Sequence, residues 1–185
     1  MCNKACISFG AKYLLPHEIN NKDILEVGSL DVNGSLRSEI LKSNPRKYIG
    51  VDIANGPGVD EICDATNLVQ KYSKRSFDIV IATEVLEHVL NWKLAISNMK
   101  NVVKFGGIIL ITTRSIGYPK HNYPNDFWRF ETEDMKYIFS DCIIEEIEAD
   151  PTAAGVFVKV KKPIPLRELN LKNYKTYDVN TETKK

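Results

Sequence analysis

Residues 24–28 read Ile24-Leu25-Glu26-Val27-Gly28, and a polar loop that reads Ser29-Leu30-Asp31-Val32-Asn33-Gly34 follows directly. A short apolar run that ends in glycine and opens into a helix is typical of α/β proteins that bring backbone close to a nucleotide-like ligand. The carboxylate of Glu26 favours a ligand that carries an amine, because a pyrophosphate gains nothing from a negative charge beside it. The stretch therefore points away from a dinucleotide and towards a cationic ligand.

The size and charge of the chain restrict the function classes. It has 185 residues, of which 43% are hydrophobic and 26% charged, and its net charge is +1. This length suits one domain, and the balanced charge gives no steering towards nucleic acid or an anionic membrane. Its apolar segments are too short to span a bilayer, and its N-terminus lacks the apolar core of a secretory signal. We expect a cytoplasmic protein without a membrane partner, and nucleic acid is not favoured as a partner.

The cysteines do not form a recognisable framework. Cys2, Cys6, Cys63 and Cys142 are too scattered for a disulfide scaffold, so we expect reduced thiols. Cys2 and Cys6 could supply two metal ligands, but no second Cys/His pair with suitable spacing follows, and structural zinc normally takes four ligands. The spacing predicts no metal site.

Strand-like and helix-like segments alternate along most of the chain. Apolar runs predict strands, and periodic segments predict helices that begin in residues 34–41 and cover residues 85–104. This order predicts a doubly wound parallel sheet. A helix and two closely spaced strands follow, which predict an antiparallel hairpin at the sheet edge. The predicted strands are residues 24–28, 48–53, 59–63, 77–83, 108–113, 143–149 and 155–160.

The C-terminal residues differ in composition from the rest. Residues 163–185 are polar and rich in lysine, and Pro163 and Pro165 interrupt regular structure. We therefore expect one domain over residues 1–162 and a solvated tail over residues 163–185.

Each of the first four predicted strands is followed by a residue suited to ligand binding. These residues are Gly28, Asp52, Asp64 and Glu84. Ligands of open parallel sheets bind beyond the carboxyl ends of the strands, so these four positions are expected to meet at one site. The joint order is more specific than any single member, because a glycine after a strand is common and an aspartate is often a helix cap.

The side chains at these ends suit the parts of one ligand. Asp52 can accept two hydrogen bonds from a ribose diol, because carboxylates only accept. Asp64 and the backbone N–H of Ala65 can present an acceptor and a donor to the edge of adenine. Glu26 and Asp31 can face an ammonium group, which needs a charged partner in a partly dry cleft.

Five segments carry a resemblance to a known family: I-L-E-V-G-S, Y-I-G-V-D-I, E-I-C-D-A, F-D-I-V-I-A-T-E-V-L-E-H-V and K-F-G-G-I-I-L-I-T-T. In order and spacing, residues 24–113 resemble the class I S-adenosylmethionine-dependent methyltransferases, of the small-molecule type with the motif T-E-V-L-E-H. The resemblance implies a Rossmann-like, mostly parallel seven-stranded sheet with an antiparallel C-terminal hairpin strand, and S-adenosylmethionine as cofactor. The expected cofactor-binding residues are Glu26, Gly28, Ser29, Asp31, Asp52, Ile53, Asp64, Ala65, Glu84 and Val85.

The glycine-rich loop departs from that family. The family usually has two further glycines where this chain has Leu30 and Val32, and Gly34 is the next glycine available. The path of the loop, and with it the roles of Ser29 and Asp31, are therefore open.

The acceptor residues are expected in the segment after the fifth strand. Residues 114–130 are dense in aromatic, hydrogen-bonding and titratable side chains, as a pocket with an apolar wall requires. His121 is the candidate general base, because histidine titrates near neutrality. Trp128 and Phe130 could instead pin this loop on the core. The residues predicted to line the acceptor pocket are His88, Tyr123, Asp126, Trp128 and Arg129.

The sequence leaves several functions open. The leading interpretation is methyl transfer to a small molecule or glycan, with O-methylation favoured. A second is a non-catalytic S-adenosylmethionine-binding subunit, whose site a partner subunit or a second copy of the chain completes. A third is an NAD-dependent oxidoreductase, since Asp52 also suits a nicotinamide ribose, but the second loop glycine and a Tyr-x-x-x-Lys pair are missing. Nucleic-acid methylation ranks lower, because the Asn/Asp-Pro-Pro-Tyr signature is absent after residues 77–83.

Overall fold

A seven-stranded sheet is the centre of the structure, a computed structural model that describes residues 3–121 and 125–185. The strands, in chain order, are β1 (Asp23–Val27), β2 (Lys47–Asp52), β3 (Glu61–Ile62), β4 (Phe77–Thr83), β5 (Val103–Arg114), β6 (Trp128–Arg129), β7 (Ile143–Ala149), β8 (Gly155–Lys161), β9 (Tyr177–Asp178) and β10 (Thr183–Lys184). The helices are α1 (Lys4–Tyr13), α2 (Pro16–Ile19), α3 (Arg37–Leu41), α4 (Leu68–Tyr72), α5 (Trp92–Val102) and α6 (Thr132–Ile138). Each of these helices is too short or too polar to cross a membrane.

The strand order of the large sheet is β3-β2-β1-β4-β5-β8-β7. Strands β1 to β5 run parallel, whereas β8 is antiparallel to both β5 and β7. The chain reverses its direction of strand addition between β1 and β4, and this switch point is where doubly wound sheets bind ligands. The predicted mostly parallel, Rossmann-like sheet with an antiparallel C-terminal hairpin is confirmed.

Both faces of the central strands are buried. Leu25 and Val27 of β1 pack in one apolar cluster with α5, whereas Ile24 faces the opposite cluster with Phe9 of α1. Successive side chains of a strand point to opposite faces, so a strand covered on both sides reads as a continuous apolar run. This explains why the stretch of residues 24–28 shows no polar alternation apart from Glu26.

The predicted helix over residues 85–104 is wrong in its first third. A short 3₁₀ turn spans Leu86–His88, and α5 begins only at Trp92. The side chain of Asn91 caps α5 by accepting from the backbone N–H of Leu94 at 3.4 Å. The interruption matters for the site, because it places His88 on a turn beside the carboxyl end of β4 rather than on a helix face.

The C-terminal residues do not form the expected solvated tail. Strand β9 pairs with β6, and the Thr176 hydroxyl donates to the carbonyl of Arg129 at 2.8 Å. Leu171 is buried in the main core cluster, and the ring of Tyr174 stacks on Tyr137 of α6. A small number of apolar residues, among them Leu171 and Tyr174, therefore attach the lysine-rich C-terminal segment to the core. Whether residues 1–162 fold as a domain by themselves stays a prediction.

We expect that Leu171→Ala destabilises the protein, because it removes a buried side chain by which the C-terminal segment is attached. Leu171 is only 7% exposed, so the loss should be about 2–4 kcal/mol of unfolding free energy. Urea denaturation followed by circular dichroism measures it. Lys172→Ala, at the exposed neighbouring position, should change the free energy by less than about 0.5 kcal/mol. Equal stability of both variants would show that the segment does not contribute to the core.

Candidate functional site

A cavity of about 570 Å³ lies beyond the carboxyl ends of β1, β2 and β4. It contains the glycine, the two aspartates and the glutamate that follow the first four strands, as the sequence predicts. Its described lining residues are Val27, Gly28, Leu30, Val32, Asp52, Ile53, Ala54, Cys63, Asp64, Ala65, Thr66, Glu84, Val85, His88, Val89, Leu90, Asn91, Asn125 and Phe127.

Gly28 is required by the geometry of the turn after β1. Its φ is +73°, a region that side-chain-bearing residues rarely adopt, and its N–H donates to the carbonyl of Val51 at 2.8 Å. A Cβ at this position would lie 2.2 Å from Cγ2 of Val85. Bare backbone therefore faces the cavity between β1 and β4.

Asp52 is fixed at the end of β2 by two backbone groups. Its Oδ2 accepts from the N–H of Leu30 and its Oδ1 from the N–H of Ala54, both at 3.1 Å. Each carboxylate oxygen has a second lone pair, so both oxygens can also accept from a ligand. The bond to Leu30 ties the loop after β1 to the end of β2.

Asp64 caps a short 3₁₀ turn, which is the common role of aspartate that the sequence left open for this residue. Its Oδ1 accepts from both the N–H and the hydroxyl of Thr66 at 2.7 Å. The cap fixes a 3₁₀ turn over Ala65–Asn67, which places the backbone of Ala65 on the cavity wall. Capping and ligand contact are compatible here, since Asp64 also lines the cavity.

Glu84 lies at the end of β4 in a strained conformation. Its φ is +58°, and the side chain is buried in an ion pair with Arg114. The thiol of Cys6 donates to its Oε1 at 3.3 Å. Burial and the nearby Glu87 carboxylate raise the pKa of Glu84, against the opposing charge of Arg114. Positive φ at a residue other than glycine is uncommon and concentrates at functional sites.

Three residues expected to bind the cofactor do not line the cavity. Glu26 and Ser29 are buried, and Glu26 accepts from the hydroxyl of Ser35 at 3.2 Å. Asp31 caps its own loop by accepting from the N–H of Gly34 at 2.8 Å. These contacts within the loop occupy side chains that were expected to face an ammonium group. Burial raises the pKa of Glu26 to about 7, although hydrogen bonds to it oppose the shift.

The expected acceptor residues mostly support the loop instead of lining the cavity. Arg129 donates to Asp126 at 2.5 and 2.7 Å, and both side chains are buried. The indole N–H of Trp128 donates to the carbonyl of Val89 at 3.1 Å, and Phe130 is fully buried. The alternative that Trp128 and Phe130 pin the loop on the core is therefore the one that these contacts favour. Tyr123 lies outside the described residues.

Burial and Arg129 act in opposite directions on Asp126. Burial favours the neutral acid, but the hydrogen bonds from Arg129 and from the backbone of His121 outweigh it and lower the pKa of Asp126. The carboxylate stays charged and holds the loop on both sides of residues 122–124. Burial lowers the pKa of His121, against the attraction of the same carboxylate.

Two histidines meet at the edge of the cavity. Nε2 of His121 lies 3.3 Å from Nε2 of His88, and the rings stand edge to face. The carboxylate of Glu87 is fully buried beneath them, with its Oε1 3.9 Å from Nε2 of His88. His88 lines the cavity as predicted, whereas His121 contacts His88 and is not one of the lining residues.

Several lining residues were not predicted. Asn125 and Phe127 flank the buried Asp126, so in this extended segment alternate residues face the cavity. Leu90 and Val32 are exposed apolar residues at its rim, 67% and 48% exposed respectively. The sequence carries no signal for Asn125 and Phe127, because the buried residue between them is an aspartate, and the rim residues are marked by their apolar character alone.

A sequence model of one protein family, described as a methyltransferase domain, matches residues 4–141. The comparison with curated proteins found no match.

Solved structures with the same fold are distant in sequence. One is the Burkholderia thailandensis 1,6-didemethyltoxoflavin-N1-methyltransferase with bound 1,6-didemethyltoxoflavin and S-adenosylhomocysteine, with a TM-score of 0.71, 12% identity, and coverage of 87% of this chain and 80% of that chain. Another is the 4+2 cyclase SpnF, with a TM-score of 0.66, 15% identity, and coverage of 85% and 79%. A third is a complex between the Haloferax volcanii Trm112 methyltransferase activator and a methyltransferase, with a TM-score of 0.63, 12% identity, and coverage of 85% and 89%.

We expect that the wild type loses unfolding free energy as the pH rises, because the buried Glu26 has to ionise, and that Glu26→Gln removes this loss. The folded-state pKa of about 7 lies above the ordinary value of 4.5, so the folded protein holds this proton more tightly. The associated stability is present below the ordinary pKa and is lost as the pH rises through about 7, up to roughly 3 kcal/mol. Urea denaturation at about pH 5 and about pH 8 should show the variant gaining on the wild type at the higher pH.

Glu133→Gln is the matched control, because the Glu133 side chain is 80% exposed. It should leave the difference between the two pH values unchanged. If Glu26→Gln behaves in the same way, the carboxyl of Glu26 is not buried as described.

Proposed function

The chain belongs to the methyltransferase-domain family, and on that premise we propose that it binds S-adenosylmethionine in the cavity and methylates a small molecule or a glycan. The observation that carries the proposal is that Gly28, Asp52, Asp64 and Glu84 all line one cavity. Each lies at or just after the end of a different strand, so their proximity depends on the topology rather than on a single motif. The neighbour from Burkholderia thailandensis, with its bound S-adenosylhomocysteine, supports this choice of cofactor.

The residues of the cavity fit the nucleoside part of this cofactor. The bare backbone at Gly28 allows close approach, and a side chain there would meet Val85. The oxygens of Asp52 can accept from a ribose diol, and Asp64 with the N–H of Ala65 can pair with the edge of adenine. Ile53, which is 59% exposed, offers an apolar surface beside them.

The fit to the amino-acid part of the cofactor rests on other residues than the sequence predicts. Glu26 and Asp31 are turned into the loop, whereas the buried carboxylate of Glu84 lines the cavity. Arg114 holds Glu84 in place through the ion pair. We assign Glu84 as the acidic residue nearest to the amino-acid part of the cofactor. Glu26 and Asp31 then stabilise the loop after β1 through their hydrogen bonds.

When bound, S-adenosylmethionine supplies a methyl group on a sulfonium, which is already activated for in-line displacement. The chain then needs to align an acceptor and exclude water. Val32, Leu90 and Phe127 form an apolar part of the wall that suits this task. Asn125 and Asn91 add polar groups that can orient an acceptor through hydrogen bonds.

An acceptor hydroxyl would have to lose its proton during transfer. His121 is the proposed base, because Asp126 lies 3.0 Å from its Nδ1 and orients the ring so that Nε2 faces His88 at the cavity edge. O-methylation is favoured for this reason. The 4+2 cyclase with the same fold means that binding and turnover have to be tested separately. A non-catalytic subunit that binds the cofactor remains the second hypothesis, and a partner subunit or a second copy could complete either site.

We expect S-adenosylmethionine and S-adenosylhomocysteine to bind the wild type in isothermal titration calorimetry, and NAD not to bind. Asp52→Asn should weaken binding by at least about tenfold, because it removes a charged acceptor worth about 1.5–3 kcal/mol. Asp23→Asn is the matched control, since Asp23 lies at the opposite end of β1 from the cavity. It should leave the affinity unchanged.

Two outcomes would count against the proposal. Absence of binding by both S-adenosyl compounds would refute the cofactor, and binding of NAD alone would favour the oxidoreductase. Release of S-adenosylhomocysteine in a screen of hydroxyl-bearing small molecules and glycans then separates an enzyme from a passive binder.

A further inference from the structure

We propose that His88, His121 and Glu87 form a binding site for one divalent transition-metal ion at the edge of the cavity. One ligand atom from each side chain, an imidazole nitrogen or a carboxylate oxygen, lies within 4.8 Å of the others. The two Nε2 atoms are 3.3 Å apart. Two nitrogens bound at about 2.0–2.1 Å to one ion at a tetrahedral angle are separated by about 3.3 Å.

The hydrogen bonds of the two rings leave both Nε2 atoms as acceptors. Nδ1 of His88 contacts the carbonyl oxygen of Asn125, and Nδ1 of His121 contacts the carboxylate of Asp126 at 3.0 Å. Both partners only accept, so in the neutral rings the proton resides on each Nδ1, an assignment inferred from these contacts. Two lone pairs then face each other at 3.3 Å. A shared cation between them turns this repulsive arrangement into a favourable one.

The third ligand is a buried oxygen that needs a partner. Oε2 of Glu87 accepts from the hydroxyl of Thr113 at 2.8 Å. Oε1 of the same carboxylate has no hydrogen-bond donor among the described residues, although the side chain is fully buried. Leaving a carboxylate oxygen buried without a partner costs free energy, and a cation beside the rings removes that cost. Oε1 lies 3.9 Å from Nε2 of His88, on the side where the ion would bind.

The surrounding contacts resemble those of metal sites in general. Histidine ligands usually donate their second ring nitrogen to a carboxylate or a backbone carbonyl, which fixes the ring and the tautomer. Here Asp126 and the carbonyl of Asn125 take those two roles, and Thr113 orients the carboxylate of Glu87. Asp126 is itself held by Arg129. Each proposed ligand therefore has its own supporting group.

The ligand set indicates the class of ion. Two imidazoles and one carboxylate suit Zn²⁺, Co²⁺, Mn²⁺ or Fe²⁺ better than Mg²⁺, which prefers oxygen ligands and retains water. Three protein ligands leave at least one coordination position for water or a ligand, as catalytic sites do. His88 also lines the cavity, so that position can face an acceptor.

The three proposed ligands are too far apart along the chain to form a recognisable metal-binding motif. In the sequence, Cys2 and Cys6 are the candidate metal ligands, and Cys2 lies outside the described residues. Glu87 and His88 are separated from His121 by more than thirty residues, which form α5, β5 and the loop after it. The N–H of Phe127 donates to the carbonyl of Glu87 at 2.8 Å and holds this loop against the turn that carries both ligands.

A role for the ion in methyl transfer rests on the proposed function, whereas the site itself does not. An ion beside the cavity can bind an acceptor oxygen and lower the pKa of its hydroxyl. His121 would then act as a ligand and not as the base. The two roles of His121 differ in their metal dependence, so the metal measurement also distinguishes them.

The test uses the full chain, freed of any histidine tag and treated with a chelator. We expect equilibrium dialysis with Zn²⁺, read by mass spectrometry of the metal, to show about one ion per chain. With Co²⁺, the protein should develop the visible d–d absorption of a low-symmetry nitrogen and oxygen site. Neither readout needs a cofactor or an acceptor, so failure of S-adenosylmethionine binding leaves this result interpretable.

His88→Asn, His121→Asn and Glu87→Gln should each weaken Zn²⁺ binding by at least about tenfold and reduce the Co²⁺ absorption. His17→Asn is the matched control, because His17 is exposed on α2 and is the remaining histidine of the chain. It should bind like the wild type. Circular dichroism checks that each variant is folded, and Glu87→Gln keeps the acceptor for Thr113.

Wild-type protein that binds neither ion would overturn the proposal. So would binding that persists at full strength in the folded His88→Asn and His121→Asn variants, or that is lost in His17→Asn.

Discussion

The parallel register of β1 between β2 and β4 determines where the functional groups lie. Val27 is opposite Val51 on one side and Ala82 on the other. The carboxyl ends of these three strands, with Gly28, Asp52 and Glu84, therefore lie at the same edge of the sheet. A shift of one residue would turn the side chains of β1 to the opposite face and would place Glu26 in the apolar cluster that Leu25 and Val27 occupy. The apolar core thus positions the cavity without contributing many atoms to it.

Buried charges surround the cavity in pairs. Glu84 is paired with Arg114, and Asp126 with Arg129, all of them nearly inaccessible to water. Such pairs add little net stability, because desolvation offsets their attraction, but removing one partner is costly. Their effect here is to fix the end of β4 and the loop that carries His121 in defined positions. A site that must align two reactants benefits from this rigidity.

Local patterns were sufficient for most of the sheet. Residues 77–83 were predicted as a strand with the bounds that the structure has, because a buried strand reads as a continuous apolar run. Residues 143–149 were also predicted with the right bounds, although this edge strand carries three glutamates and is partly exposed. Gly28, Asp52, Asp64 and Glu84 were found because each stands at the end of a predicted strand. The structure explains the glycine, since a Cβ at position 28 would lie 2.2 Å from Cγ2 of Val85.

Contacts between distant segments were not readable in the same way. The predicted helix is interrupted at residues 89–91, next to the turn whose Glu87 carbonyl accepts from the N–H of Phe127. The carbonyl of Phe127 in turn accepts from the N–H of Val179 at 2.9 Å. These bonds join the turn after β4, the loop before β6 and the C-terminal segment. No single segment carries their signal. The expected solvated tail was therefore wrong, and Asp126, Trp128 and Arg129 support the loop instead of lining the cavity. The proximity of His88 to His121 arises from the same set of contacts.

The proposed function requires that four strand ends form one site for S-adenosylmethionine. A crystal structure of the protein with S-adenosylhomocysteine is the most direct test. We expect ligand density over Gly28, with the ribose at Asp52 and the adenine beside Asp64 and Ala65. Density for the ligand elsewhere on the protein, or no density in the cavity at saturating concentration, would contradict it.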